Sequence, residues 1–256
     1  MRARLVFAGL ALSLFALLPG TAAAVLGGQP DTTHPYVALV AEGQTACSGT
    51  LLSPTVMLTA AHCFAGDSGG NPLTVRVFFG QAPTPEAFFT GTFYFDHQFA
   101  GIGNGTPQAD THDVAVVIFS TAIPATVTST YAALPTAGLV DTLRNNTPVD
   151  LVGYGVQGFT RGGGQPQPMP PPNAVTRTYA QTALIGSNDA ISGEFLKLHG
   201  GACSGDSGGP DFEAGTSIVL AENSFVNNDT CAGNAYSYRI DTPAARAFLR
   251  QYIAVP

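Results

Sequence analysis

Charged residues are scarce in this 256-residue chain, with 10 Lys and Arg, 17 Asp and Glu, and a formal net charge of −7 at pH 7. Lys197 is the only lysine. Proteins that bind nucleic acid or anionic membranes present clustered basic side chains, which an acidic chain with scattered arginines does not offer. The composition therefore argues against both partners and is typical of a secreted β protein.

Long apolar runs are missing from the chain beyond its first 24 residues. The run at 5–18 is too short to span a bilayer comfortably, follows two arginines, and precedes small residues at Ala22 and Ala24. A basic start, an apolar run and a small-residue cleavage site are the parts of a secretory signal peptide. We therefore predict a signal peptide over 1–24 and a secreted, extracellular mature chain over 25–256.

Cysteine is limited to four residues, and no two of them have the C-x-x-C spacing of a zinc site. In an exported chain, four cysteines predict disulfides rather than metal ligands. Three pairings are possible, and proximity in the sequence favours Cys47–Cys63 and Cys203–Cys231. Each bond would stabilise the fold by roughly 3 kcal/mol on a loop-entropy estimate.

Short β-branched and apolar runs, separated by Gly, Pro, Asn and Asp, recur along the mature chain. Alternation with period two, as in 73–80, is typical of half-buried antiparallel strands, so the pattern predicts an all-β fold. The C-terminal segment differs, because Thr242 is placed to cap a helix and Pro243 suits its first turn. We predict a helix over 242–256 and an exposed loop over the Pro- and Gly-rich segment 161–173.

The pentapeptide GDSGG occurs twice, at 66–70 and at 205–209. Both copies place a serine in a glycine-rich turn, where a hydroxyl can stand clear of its neighbours. Cys203 precedes the second copy and can anchor it, whereas the first copy runs into an Asn-Pro turn. We interpret the first copy as a surface loop and Ser207 in the second as the candidate nucleophile.

A serine hydroxyl attacks only when a base removes its proton and a carboxylate orients that base. His62, in TAAHC, follows an apolar run, and small alanines leave room beside its ring. Asp113 precedes six apolar residues, and a carboxylate entering a buried strand needs a partner. We take His62 and Asp113 as the candidate base and carboxylate, and the nearby Asp110 and His112 as ordinary loop residues.

The segments TAAHC, HDVAVV and CSGDSGGP, in this order, resemble the three signature segments of the chymotrypsin/trypsin-like serine proteases. The resemblance extends to VLGG at 25–28 and GYG at 153–155. It implies two six-stranded antiparallel β-barrels with the site in the cleft between them. The first barrel would cover about 25–130, the second about 131–241, and a C-terminal helix would follow.

The resemblance also implies a role for each candidate. Ser207 would attack the scissile carbonyl, His62 would act as general base and then as general acid, and Asp113 would hold the imidazole. The N–H groups of Gly205 and Ser207 would form the oxyanion hole. Such a mechanism needs no cofactor and no metal.

Activation in the resembling family depends on a new N-terminal ammonium, which pairs with the residue at the position of Asp206 and sets the oxyanion loop. Cleavage after Ala24 would make Val25 that N-terminus, so we hypothesise that export alone activates the enzyme. Cleavage after Ala22 or Ala23 would misplace the charge and leave a sluggish, zymogen-like protein.

The primary specificity pocket is also assigned by resemblance, to Gly201, Ala202, Ser224, Phe225, Val226 and Asn234. The floor position, Gly201, carries no carboxylate, so cleavage after Arg or Lys is not expected. Val226 on the wall would narrow the pocket, as in elastase-like members. We therefore expect cleavage after small or medium apolar residues, with a larger, chymotrypsin-like preference as the alternative.

Two other protein classes share some of these sequence features. An α/β-hydrolase places its histidine after the nucleophile, whereas all five histidines precede Ser207, and we reject that class. A catalytically inactive homologue that acts as a binding protein is the second, although such proteins typically lose a triad residue and none is missing. We predict a monomeric endopeptidase whose partners are protein or peptide substrates and protein inhibitors.

Overall fold

The β-branched and apolar runs of the sequence form the strands, and the turn residues between the runs form the connections, as the sequence pattern predicts. The computed structural model describes residue 25 and the ranges 28–81, 87–102, 111–156, 159–160, 167–168, 176–186, 192–228 and 230–256. The predicted signal peptide lies outside these residues, as does the predicted loop 161–173 apart from 167–168.

Six antiparallel strands close into a barrel in the N-terminal half, in the order β2-β3-β4-β7-β6-β5. The barrel closes because β2 pairs with both β3 and β5. The strands of this half are β1 (Gln29–Pro30), β2 (Val37–Glu42), β3 (Thr45–Ser53), β4 (Val56–Thr59), β5 (Leu73–Phe78), β6 (Phe88–Phe95) and β7 (Ala115–Ile118). All of β4 and most of β7 are buried, as expected for strands that are apolar throughout.

A second six-stranded barrel follows, in the order β8-β11-β12-β15-β14-β13, and it closes through the pairing of β13 with β8. Its core contains Leu151, Leu184, Leu196 and Leu220. The strands are β8 (Pro148–Gly153), β9 (Phe159–Thr160), β10 (Gln167–Pro168), β11 (Thr178–Gly186), β12 (Phe195–Leu198), β13 (Pro210–Glu213), β14 (Val219–Val226) and β15 (Ala235–Arg239). Strands β9 and β10 form a separate hairpin. The two-barrel, all-β prediction is confirmed.

Helices are short: α1 spans Ala65–Ser68, α2 spans Pro243–Leu249, and 3₁₀ turns lie at 61–63 and 140–142. The predicted cap of α2 is present, since Thr242 Oγ1 accepts from the N–H of Ala245 at 3.3 Å. The helix ends at Leu249 rather than at 256, because the chain then tightens into i to i−3 bonds. None of the helices in the described residues is long and apolar enough to cross a membrane.

Strand β1 and the C-terminal segment each contact the barrel formed by the other half of the chain. Strand β1 pairs with β11 of the second barrel, although the first barrel was predicted to begin at 25. Helix α2 contributes Phe248 and Leu249 to a core cluster that contains residues of both barrels, and after the helix the Tyr252 ring lies 5.9 Å from the Tyr94 ring of β6 in the first barrel. The two barrels therefore share their terminal segments.

Candidate active site

The candidate histidine and aspartate lie at one end of two paired strands. Thr59 at the end of β4 is opposite Ala115 at the start of β7 in the antiparallel register. His62 follows β4 in a 3₁₀ turn and Asp113 immediately precedes β7, so the pairing brings both to the same edge of the first barrel. Ser207 approaches from the loop between β12 and β13 of the second barrel.

His62 and Asp113 are joined by two hydrogen bonds. The imidazole Nδ1 lies 2.8 Å from Asp113 Oδ2, and the backbone N–H of His62 donates to Asp113 Oδ1, also at 2.8 Å. The hydroxyl of Ser224 donates to Oδ2 at 2.5 Å. Since an ionised carboxylate only accepts, the proton belongs on Nδ1, and Nε2 remains an acceptor, which is the tautomer of a general base.

The Asp113 carboxylate is fully buried, yet it is held in its charged form. Burial alone would raise the pKa of Asp113, but the charge of His62 and the hydrogen bonds from His62 and Ser224 lower it below its usual value. The aspartate that was expected to need a partner therefore has three donors.

Ser207 is brought next to the His62 segment through its backbone. Its carbonyl oxygen accepts from the N–H of Ser48 at 2.8 Å and lies 3.9 Å from Sγ of Cys63, the residue after His62. The Cys47–Cys63 disulfide connects β3 to the turn that carries His62, next to this contact. Gly208 is required in this turn, because its φ of +76° favours glycine and a Cβ there would lie 2.6 Å from the Ser48 carbonyl oxygen.

The two predicted oxyanion donors are free of protein acceptors within the described part of the chain. The carbonyl oxygen of Ser204 accepts from the N–H of Val156 at 2.8 Å, and that of Asp206 accepts from the N–H of Gly209 at 2.8 Å. In a trans peptide the C=O and N–H point in opposite directions, so these bonds turn the N–H groups of Gly205 and Ser207 away from the supporting segments. Both can bind a ligand oxygen.

Asp206 is buried, and its carboxylate accepts from the N–H of Gly155 at 2.8 Å and from that of Cys203 at 2.9 Å. Burial raises the pKa of Asp206 to about 7, against the lowering effect of these two donors. Val25 is buried, and its nitrogen donates to Thr178 Oγ1 at 2.6 Å. In the full-length chain this nitrogen is a peptide N–H, so the predicted ion pair between a Val25 ammonium and Asp206 stays a prediction.

A cavity of about 250 Å³ opens beside Ser207. Among the described residues its lining carries no charged side chain and consists of Ala202, Cys203, Ser204, Ser207, Asn223, Ser224, Phe225 and Val226. Four of the six predicted pocket residues are therefore in place. The Phe225 ring stacks on Tyr236 with centroids 4.7 Å apart, which fixes one wall.

Gly201 and Asn234, the other two predicted pocket residues, do not line this cavity. Gly201 has a φ of +104°, and a Cβ on it would lie 3.1 Å from Leu151 Cδ2, in the interior of the second barrel. The backbone oxygen of Asn234 accepts from the N–H of Asn227 at 3.4 Å. The turn at Gly201 leaves Ala202 as the first residue of this segment that reaches the cavity.

Asn223 lines the cavity but was missed. Its amide nitrogen donates to the Gly209 carbonyl oxygen at 3.2 Å and to Asp211 Oδ1 at 3.1 Å. Burial raises the pKa of Asp211 to about 7. Burial and the charges of Asp113 and Asp211 also raise the pKa of Glu222 well above its usual value. A signal for Asn223 was present in the sequence, because three polar residues, Glu222, Asn223 and Ser224, interrupt the apolar strand β14.

The first GDSGG copy forms the end of α1 and the turn after it. The Ser68 hydroxyl donates to the Ala65 carbonyl oxygen at 2.8 Å and accepts from the N–H of Gly70 at 3.1 Å. Ser68 is buried, so its hydroxyl is used within the turn. This copy was predicted to be a surface loop; it instead ends a short helix and buries its serine, and the hydroxyl is used in contacts within the turn.

The described residues contain one group of three side chains that could in principle hold a metal, namely Cys47, His62 and Cys63. Both sulfur atoms belong to a disulfide, which leaves His62 as the single available ligand. The second disulfide, Cys203–Cys231, anchors the segment before Ser207.

A fold of two β-barrels, with a histidine on a buried aspartate and a glycine-rich serine loop beside it, defines a class of protein, and comparison with known families agrees. The trypsin family model matches residues 25–249, and the chain belongs to this family.

Solved structures share the fold at low sequence identity. Human heparin binding protein is 18% identical with a TM-score of 0.64, over 91% of this chain and 99% of that one. HL collagenase is 19% identical with a TM-score of 0.64, over 89% of this chain and 97% of that one.

Proposed function

We propose that this protein is a serine endopeptidase in which Ser207, His62 and Asp113 form the catalytic triad. The observation that carries the proposal is the pair of 2.8 Å hydrogen bonds from His62 to the buried Asp113 carboxylate, at the point where the Ser207 loop meets the first barrel. The bond to Nδ1 fixes the imidazole tautomer and leaves Nε2 as an acceptor. His34 makes the same two bonds to Asp31, so what distinguishes His62 is its position beside the Ser207 loop.

In the proposed reaction, His62 Nε2 takes the hydroxyl proton of Ser207 while Oγ bonds to the substrate carbonyl carbon. The resulting oxyanion accepts hydrogen bonds from the N–H groups of Gly205 and Ser207. The imidazolium then gives its proton to the leaving amine, which yields the acyl-enzyme. Water repeats the sequence and releases the acid, and the charged Asp113 stabilises the imidazolium in both halves.

We propose that cleavage of the signal peptide during export is the step that activates the enzyme. Removal of 1–24 as a signal peptide gives Val25 an ammonium group, which pairs with the buried Asp206 carboxylate. The raised pKa of Asp206, at about 7, supports this, because a buried carboxyl without a cation keeps its proton and a cation would release it. The proposed location is extracellular and the proposed state monomeric.

The proposed substrates are proteins or peptides with a small or medium apolar side chain before the cleaved bond. The volume of about 250 Å³ and the uncharged lining support this preference and disfavour Arg or Lys. Phe225 and Val226 line the cavity, and they are proposed to form the wall that limits side-chain size.

Labelling with a fluorophosphonate, followed by mapping of the labelled peptide, tests the proposal. We expect label on Ser207 alone and complete loss of label in Ser207→Ala. Label on Ser68 would contradict the assignment. If nothing is labelled, the mass of the N-terminal peptide distinguishes an inactive homologue from a chain cut at a residue other than Ala24.

A binding protein without catalysis is the second candidate, favoured by one observation: a solved structure with the same fold is named a heparin binding protein. A net charge of −7 opposes a polyanionic ligand for this chain. Retention on a heparin column at about 0.15 M salt, in a chain that takes no fluorophosphonate label, would support this candidate over the protease.

A further inference from the structure

Ser48 connects the first barrel to the loop that carries the candidate nucleophile. It is fully buried in β3 and directly follows Cys47 of the disulfide beside His62. Its hydroxyl donates to the Gly205 carbonyl oxygen at 2.8 Å, and its N–H donates to the Ser207 carbonyl oxygen at 2.8 Å. One residue of the first barrel therefore contacts both ends of the segment 205–207.

The hydroxyl of Ser48 is held in this orientation by its other neighbours. It accepts from the N–H of Tyr154 at 2.9 Å, and the Ser48 carbonyl oxygen accepts from Thr59 Oγ1 at 2.8 Å. Since a hydroxyl has one donor proton, acceptance from Tyr154 directs that proton to Gly205. The bond to Gly205 is thus determined by a network and not by a freely rotating side chain.

Three consecutive peptides carry the two oxyanion donors. The 204–205 peptide is fixed by the N–H of Val156 and the 206–207 peptide by the N–H of Gly209. The 205–206 peptide between them is held on both sides, because its carbonyl oxygen accepts from the Ser48 hydroxyl and its N–H donates to the Cys203 carbonyl oxygen at 2.9 Å. Gly205 has a φ of +98°, in a region where glycine moves easily, so loss of the anchor on the carbonyl side would let the neighbouring N–H groups of Gly205 and Ser207 shift.

The loop adopts this arrangement while the Val25 nitrogen is bonded to Thr178 and not to Asp206. Its anchors are then the backbone donors to the Asp206 carboxylate, the bond from the Asp206 N–H to the Cys203 carbonyl oxygen, and the Ser48 hydroxyl, which is the one side-chain donor among them. We propose that Ser48 is a positioning residue that holds the Gly205–Asp206 peptide from the first barrel and keeps the oxyanion donors in place. The inference rests on the proposed function for the role of those two N–H groups.

The test compares the secreted wild-type protein with Ser48→Ala and with a matched control, Thr50→Val. Thr50 lies two residues along the same strand, is equally buried, and its hydroxyl has no partner among the described residues. We expect Ser48→Ala to lower kcat on a peptidyl p-nitroanilide by about ten-fold, with KM changed by less than about two-fold, as for the loss of one hydrogen bond that acts in the transition state. Affinity for a peptidyl boronate should fall by the same factor.

Hydrogen exchange of the peptide covering 204–209 supplies a readout that does not depend on catalysis. It should be faster in Ser48→Ala than in the wild type and unchanged in Thr50→Val. Equal losses of kcat in the two variants, or unchanged exchange and kcat in Ser48→Ala, would overturn the inference. If Ser48→Ala does not fold, Ser48→Gly removes the same hydroxyl and serves in its place.

The two readouts separate failure of this inference from failure of the proposed function. A wild type that takes no fluorophosphonate label, with faster exchange in Ser48→Ala, refutes catalysis and retains the positioning role. A wild type that is labelled, with no difference between the two variants, refutes the positioning role alone.

Discussion

The guanidinium of Arg177 donates from Nε to Asp31 Oδ2 at 2.7 Å, and both side chains are buried. A second nitrogen of Arg177 donates to the Val37 carbonyl oxygen of β2 at 3.1 Å. Asp31 directly follows β1, and Arg177 directly precedes β11. This ion pair therefore links the N-terminal segment, the first barrel and the second barrel at one point.

Removal of the carboxylate in Asp31→Ala should lower the free energy of unfolding by about 3–5 kcal/mol, because it leaves a buried guanidinium without its counter-charge. Urea titration at pH 7 measures this, with the exposed Asp67→Ala as the control. A loss no larger than that of the control would contradict the prediction.

The same ion pair makes the free energy of unfolding depend on pH. Burial raises the pKa of Asp31, but the hydrogen bonds from His34, Thr33 and Arg177 outweigh it and hold the pKa below its ordinary value. The stabilisation is therefore present above about pH 4 and is lost as the pH falls towards the native pKa. In Asp31→Ala this part of the acid destabilisation should disappear.

Ser68→Ala should leave fluorophosphonate labelling of Ser207 unchanged and cost about 1 kcal/mol of stability, since the Ser68 hydroxyl closes the turn after α1. Thermal unfolding and a single labelling experiment check both parts. A marked loss of label with unchanged stability would assign a chemical role to the first GDSGG copy.

Asp211→Asn should stabilise the protein at neutral pH and have little effect near pH 4. The pKa of Asp211 is raised by burial to about 7, so between pH 4 and 7 the unfolded chain loses this proton while the native protein keeps it. Stability of the wild type then falls by roughly 1.4 kcal/mol per pH unit through this group, and the variant lacks that fall. Urea midpoints at pH 4, 5.5 and 7 measure the difference, and a constant difference would contradict the prediction.

Val226→Gly should widen the cavity beside Ser207. We expect the ratio of kcat/KM for a substrate with Phe before the cleaved bond to one with Ala to rise by about ten-fold. Val255→Gly, in the C-terminal segment away from the cavity, is the control. An unchanged ratio would show that Val226 does not limit side-chain size.

Retention of Ala24 at the N-terminus should lower kcat, because the Val25 nitrogen then stays a peptide N–H and cannot pair with Asp206. Combined with Ser48→Ala, the fall should exceed the product of the two separate effects, since both contacts support the 205–207 loop and each partly compensates for loss of the other. The same extension combined with Thr50→Val should be multiplicative. Simple multiplication in both pairs would show that the two contacts act independently.

The parts of the fold and site that depend on local sequence were predictable. Each of the three triad candidates lies in a short segment whose neighbouring residues indicate its role: His62, Asp113 and Ser207. The helix cap at Thr242 is likewise indicated by residues within a single turn. The order of these segments then implied the two-barrel fold, which is confirmed. Periodicity alone indicated strands but did not show which of them close a barrel.

The remaining features depend on contacts between distant residues. Ser48 and Gly205 are 157 residues apart, and no pattern in the sequence relates them. Gly201 was placed in the pocket by counting back from Ser207, but its positive φ turns it into the second barrel. The length of α2 was overestimated because apolar residues continue at helical spacing to Ile253, beyond the point where the chain tightens.

The exchange of terminal segments between the barrels makes each of them incomplete by itself. Suppose the chain were cut once within 131–147. The N-terminal piece would still supply β1 to the sheet of the second barrel, and the C-terminal piece would still supply the segment from α2 onwards that packs against the first barrel. Neither barrel can unfold without exposing part of the other, so heat or denaturant should unfold the whole molecule in one cooperative transition. Each half lacks a segment that the other half supplies, so neither half is expected to fold when it is expressed alone.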